Sequence, residues 1–195
     1  MDIEIRKLTP DHAEAYARFF DTTPHDNSDE EKCYCVCWCS GDDAGIDFSS
    51  PEKRRALAIR YVRGGSIQGY LAYHNGQIVG WCNANARADC LQCASWRRFM
   101  AYVPLEESGD VKVKSIFCFV IAPEMQRKGI ATQLLERACQ DAAREGFDFV
   151  EAYPFKESGW QSSEFGGYLE MYRKSGFFVH AKARQGLVMR RALQQ

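Results

Sequence analysis

The chain has 195 residues, 46% hydrophobic and 13% aromatic, enough apolar side chain for a sizeable core, which excludes disordered and fibrous classes. Its 25 Lys and Arg against 26 Asp and Glu leave a net charge of −1, so nothing in the charge calls for nucleic acid or an anionic membrane as partner. The longest apolar run, Ile116 to Ala122, is far below the ~20 residues of a membrane span, and Met1 to Lys7 lacks the apolar stretch of a secretory signal. A soluble, cytoplasmic α/β (α+β) protein with one domain over 1–195 is expected.

In chain order, Ile3 to Leu8 alternates apolar and charged residues and predicts a half-buried strand. Thr9 and Pro10 then suit the cap and first position of a short helix reaching Phe20. Residues 21–50 have weak periodicity and are expected to form an irregular, cysteine-rich insert. Ser50 followed by Pro51 opens a second helix, which Gly64 and Gly65 close. Two alternating runs, Gln68 to Tyr73 and Gln77 to Ala84, flank Asn75-Gly76, the dipeptide of a type I′ hairpin turn. Residues 87–110 read as a long mixed loop. Val113 to Ile121 is nearly continuous apolar sequence and predicts a strand covered on both faces, ended by Pro123.

Gly129 to Glu145 carries an apolar stripe through Ile130, Leu134, Leu135, Ala138, Cys139 and Ala142, an amphipathic helix closed by Gly146. Phe147 to Tyr153 is the next strand, Tyr168 to Ser175 a short helix before Gly176, and strands follow at Phe177 to Ala181 and Leu187 to Arg191.

There are nine cysteines, an odd number. Cys33, Cys35, Cys37 and Cys39 alternate, so an extended backbone would put all four thiols on one face. Cys90 and Cys93 form a lone C-x-x-C, and neither pattern has the paired spacing of a structural zinc site. Packing thiols are the favoured reading, with a metal or redox module left open. His12, His25, His74 and His180 are scattered singly, and no G-x-S-x-G elbow supports a serine nucleophile.

The segment between the buried strand and the amphipathic helix carries the chemistry. A tight turn there delivers unpaired helix N–H groups and the positive end of the helix dipole to one place. Gly129 and Ala131 leave room for close approach, and Arg127 and Lys128 add positive charge. The combination suits a pyrophosphate; a plain helix start with solvated basic residues is the alternative.

Gln126-Arg127-Lys128-Gly129-Ile130-Ala131 resembles the Q/R-x-x-G-x-G/A signature of the Gcn5-related N-acetyltransferases. The hairpin at Asn75-Gly76 and the stretch Met171 to Phe177 are similar to that family's β2–β3 hairpin and final helix-to-strand junction, so the resemblance spans roughly 1–190, with 21–50 poorly matched. It implies a mostly antiparallel sheet splayed at its centre and flanked by helices. It also implies acetyl-CoA as co-substrate, no metal, and direct transfer of acetyl to an amine. By the same resemblance Gln126, Arg127, Lys128, Gly129, Ile130 and Ala131 hold the pyrophosphate, and Phe119 and Ile121 hold the pantetheine and thioester. Tyr172 stands where family members place the acid that protonates the leaving thiolate.

The glutamate that some members carry early in the preceding strand has no counterpart in Val113 to Ile116. Glu151, a carboxylate in an apolar strand, is the remaining candidate base, a water relay being the other route. Trp38, Trp81 and Arg87, with Trp96 and Tyr102, are candidates for the acceptor pocket. A small-molecule primary amine is the expected partner, with no nucleic acid and no membrane, and a homodimer stays open. A CoA-binding sensor without turnover remains the rival of a different class.

Overall fold

The computed structural model of the chain describes residues 1–23, 32–106, 110–154, 165–182 and 186–194. His25 and part of the cysteine-rich insert, 24–31, lie outside these. The strands are β1 (Glu4–Lys7), β2 (Gly69–His74), β3 (Gln77–Ala86), β4 (Val113–Ile121), β5 (Phe149–Ala152), β6 (Phe178–Lys182) and β7 (Leu187–Ala192). They form one sheet in the order β1-β2-β3-β4-β5-β7-β6. Every neighbouring pair is antiparallel except β4 with β5. The helices are α1 (Ala13–Thr22), α2 (Pro51–Gly64), α3 (Arg87–Cys90), α4 (Ala94–Phe99), α5 (Ile130–Arg144) and α6 (Leu169–Lys174). None of the described helices is long and apolar enough to cross a membrane.

Local chemistry explains the boundaries. The Ser50 side chain caps α2 by accepting the Lys53 N–H, Pro51 fills its first turn, and Gly65 closes it in the left-handed conformation at φ +75°. A 3-10 turn, Pro10–His12, precedes α1, where the sequence predicted continuous helix. Asn75 and Gly76 both take positive φ, 49° and 75°, as a type I′ turn requires. Residues 87–106, expected as a loop, fold into α3, α4 and a turn.

The cysteine run departs most from expectation. It is not extended: Val36 N–H reaches Cys33 O and Trp38 N–H reaches Cys35 O, and Tyr34 and Cys35 both sit at left-handed φ, 50° and 55°. The chain therefore coils, and the four thiols do not share one face. Tyr34 is held in this conformation by Tyr16, which donates to its carbonyl at 2.9 Å, and by its own hydroxyl, which donates to Asp21 at 2.7 Å. Burial raises the Cys37 thiol to about 11 and the Cys39 thiol to about 12, so both stay protonated at neutral pH. Among the described residues the cysteines gather no three ligand atoms within 4.8 Å of one another.

Two features of the core position the functional end of the sheet. Gly80 lets α5 press onto it, since a Cβ there would meet Ile121 Cδ1 at 2.9 Å and Ile130 Cγ2 at 3.1 Å. Trp81, expected in the acceptor pocket, is instead wholly buried in β3 and meets Tyr16 of α1 edge-on at 4.9 Å. The hairpin places it in the sheet's interior, where its ring fills core with no face open to solvent. Trp81→Ala should therefore lower the unfolding free energy by ~3–5 kcal/mol, read as a drop in urea midpoint.

Candidate acyl-transfer site

The site begins where β4 and β5 part. Their parallel pairing runs only from Val113↔Phe149 to Ile116↔Ala152, while β4 continues through Phe117 to Ile121 against β3 alone. At the parting point β4 has a bulge: Asn83 faces Cys118 and Ala84 faces Ile116, leaving Phe117 as an extra residue. Beyond it, Ala122 N–H bonds Val79 O at 3.0 Å. In an antiparallel ladder alternate residues bond the same neighbour, so Phe119 and Ile121 direct their backbone groups to the side β5 has left. The two residues expected along the cofactor thus lie on an opened strand edge.

At the end of that edge the chain turns through a 3-10 turn, Pro123–Met125, into α5. Gln126 is extended, Arg127 takes φ 61°, and Gly129 caps α5 at φ 78°. Left-handed residues bend the backbone sharply just before α5, whose first N–H groups have no acceptor within the helix. Gln126 Nε2 donates to Ile121 O at 3.3 Å, tying the turn to the strand edge. Gln126, Arg127, Lys128 and Gly129 are exposed, while Ile130 is buried and Ala131 half-buried. Arg127 lies over the ring of the exposed Tyr168 at 5.8 Å. The six signature residues therefore form the turn and the first residues of α5, with Gln126 to Gly129 exposed to solvent.

Tyr172 of α6 is fully buried, its ring packed edge-on against Phe177 at 5.2 Å. Its hydroxyl donates to Gly166 O at 2.6 Å. A Cβ on Gly166 would stand 2.9 Å from Tyr153 O, so this stretch runs along the departing end of β5. Burial holds the Tyr172 pKa well above its ordinary value, which keeps the phenol protonated.

Glu151 is placed otherwise than expected. It is fully buried in β5 and accepts from Arg190 Nε at 2.7 Å, Arg87 Nη1 at 2.9 Å and the Tyr153 hydroxyl at 3.0 Å, with Arg190 Nη2 bonded as well. Both guanidinium groups also pair with Glu106. Two positive charges and four donor atoms occupy the two carboxylate oxygens, leaving neither free to act as a base. The expectation that Glu151 acts as general base is corrected: it is the anchor of a buried ion cluster joining β5, β7 and α3. Arg87, expected to bind the acceptor, is likewise spent on that cluster. His180 brings a third potential ligand atom near the two carboxylates, but the arginines already neutralise them.

Trp38 is partly exposed and stacks on Phe117 at 4.6 Å and 9°. Phe117, Tyr153 and Ser115 are functional-end residues that sequence reasoning missed. The bulge that aims Phe117 has no signature in an apolar run. Glu106 and Arg190 were missed too, although a carboxylate amid Val150 and Ala152 signals that a cation must meet it somewhere.

A sequence profile of the Acetyltransferase (GNAT) family matches residues 8–177, and the chain belongs to that family. It is an N-acetyltransferase. Solved structures share its fold at low identity. A PaiA N-acetyltransferase from Thermoplasma acidophilum, in complex with coenzyme A, is 16% identical at TM-score 0.56 over 98% of this chain and 99% of that one. The protein yncA from Salmonella typhimurium, with its cofactor acetyl-CoA, is 16% identical at TM-score 0.54 over 100% and 96%. A GNAT-family acetyltransferase from Streptococcus pneumoniae is 16% identical at TM-score 0.53 over 99% and 100%. Comparison with curated proteins gives no match.

The ion cluster makes two predictions. Glu151→Gln should destabilise the fold by ~3–5 kcal/mol in urea unfolding, because it leaves two buried guanidinium groups around a neutral amide. Burial pushes the Glu106 carboxyl up, but hydrogen bonds from Arg190 and Arg87 outweigh it and hold the carboxyl below its ordinary 4.5. Stability from Glu106 is then complete above that ordinary value and lost as pH falls through the lower folded value. Urea midpoints measured down an acid series should fall more steeply for the native protein than for Glu106→Gln.

Proposed function

We propose that the chain transfers acetyl from acetyl-CoA directly to the primary amine of a small molecule. The observation that carries the reading is the continuity of the opened β4 edge with the left-handed turn at the head of α5. One offers backbone groups spaced for an extended pantetheine arm, the other a positive nest for its pyrophosphate. The coenzyme A and acetyl-CoA complexes of structures sharing the fold support this. Gln126, Arg127, Lys128, Gly129, Ile130 and Ala131 take the pyrophosphate, through N–H groups and the charges of Arg127 and Lys128. Phe119 and Ile121 line the pantetheine and thioester.

In the transfer, the neutral amine attacks the thioester carbonyl carbon and its oxygen becomes an oxyanion. An N–H donor on the β4 edge aimed at that oxygen would supply ~3–4 kcal/mol of transition-state stabilisation. Collapse breaks the C–S bond, and the thiolate takes the phenol proton of Tyr172, which is then reprotonated from solvent as the amine proton is released. The amine proton leaves through water, since Glu151 is engaged elsewhere. To do so Tyr172 must give up its bond to the Gly166 carbonyl for one to sulfur.

Coenzyme A should raise the melting temperature, by ~2.7 kcal/mol of stabilisation at a hundredfold excess over Kd. Gly129→Glu forces a side chain into a left-handed position and sets a negative charge in the nest, and should abolish that shift; an unchanged shift would remove the central claim. Tyr172→Phe should lower kcat by ~10²–10⁴-fold with the CoA shift retained. Tight CoA binding without turnover of any amine would make the chain a CoA-binding module instead.

A further inference from the structure

The acceptor face of the fork carries a wall of aromatic rings. Phe117 of β4 and Tyr153, just past the end of β5, are the first residues beyond the strands' last pair, and their rings stack at 5.7 Å and 21°. The bulge turns Phe117 toward Trp38, which extends the stack at 4.6 Å and 9°. Trp96 stands edge-on to Phe117 and Tyr153, at 6.2 Å from each, and wedges both. The Trp38 backbone is fixed in turn: its N–H donates to Cys35 O and its carbonyl accepts Asn83 Nδ2 at 2.9 Å. Three near-parallel rings thus run from the fork outward and end on a partly exposed, pre-positioned indole.

The neighbouring charges are balanced. Arg87 and Arg190 pair with Glu106 and Glu151, so a carboxylate or a second ammonium on the acceptor meets charges already neutralised. What the stack offers is the partly exposed indole of Trp38, set on Phe117 where β4 and β5 part.

We propose that the acceptor is an arylalkylamine, a primary amine on a short alkyl chain whose aromatic ring continues the stack on Trp38. This rests on the acetyl-transfer reading above and adds the substrate class. Stacking on Trp38 leaves the alkyl chain to carry the amine inward past Phe117 to the thioester. Offset stacking of rings adds attraction beyond the apolar area removed from water, and a rigid, pre-set indole loses little freedom on binding.

The test compares tryptamine and phenethylamine with n-hexylamine, spermidine and an amino acid, each with acetyl-CoA, in a thiol-release assay beside a CoA melting-shift measurement. The arylalkylamines should exceed the other three in kcat/KM by about tenfold or more. Trp38→Ala should raise their KM by about that factor while leaving n-hexylamine little changed, and Trp38→Phe should restore most of the preference. If CoA gives no shift, the transfer reading and this one fall together. If CoA binds but the arylalkylamines show no advantage or no turnover, this proposal alone is overturned. An equal loss for every amine in Trp38→Ala, with the CoA shift intact, also overturns it. Should Trp38→Ala fail to fold, the native protein's ranking of the five amines decides.

Discussion

The parting of β4 from β5 is the constraint on which the rest of the molecule depends. A sheet normally satisfies the backbone groups of every inner strand on both sides, and leaving such groups without a partner costs ~1–3 kcal/mol apiece when they are buried. Here the ladder stops at Ile116 and Ala152, and β4 continues with one edge open. In the proposed reading, that edge is where the extended, hydrogen-bonding arm of the co-substrate would pair. The bulge at Phe117 marks the same point, re-aiming one ring as the pairing changes. The left-handed turn through Arg127 and Gly129 then follows at the strand's end, which makes the strand edge continuous with the head of α5.

Something must hold the closed end of the fork while the other end opens. The cluster of Arg87, Glu106, Glu151 and Arg190 lies there, linking β5 to β7 and to the start of α3. Buried ion pairs add little over well-packed apolar residues, yet they are costly to break, which suits them to fixing an arrangement rather than to adding stability. Tyr153 connects this clamp to the site, since its hydroxyl lies between Glu151 and Ser115 while its ring stacks on Phe117. The same side chain therefore belongs to the clamp at one end and to the aromatic wall at the other.

The cysteine-rich insert takes its meaning from this geometry as well. An extended backbone would have put its alternating thiols on one face, but the chain coils, and burial keeps Cys37 and Cys39 protonated. What the insert sets against the bulge of β4 is Trp38. The left-handed pair Tyr34 and Cys35 redirects the backbone so that the indole meets Phe117.

The sequence by itself determined the elements whose signals are local. Ser50-Pro51, Asn75-Gly76, the stripe of α5 and the glycines at 65, 129 and 146 specify caps, a turn and helix ends through backbone sterics and nearest-neighbour bonds. The signature from Gln126 to Ala131 is of the same kind, because a helix head is built from consecutive residues. Tertiary structure alone decided which polar and aromatic side chains meet. Glu151 looked like a base because its sequence neighbours are apolar; its partners Arg87, Arg190 and Glu106 are distant in the chain and adjacent only across the sheet. Trp38 and Trp81 look equivalent in sequence, but β3 carries Trp81 into the core while a coiled insert leaves Trp38 at the mouth of the fork. Local bonds are written in consecutive residues, whereas charge pairing and ring stacking depend on register between strands, and a bulge of one residue at Phe117 is enough to change what the register presents.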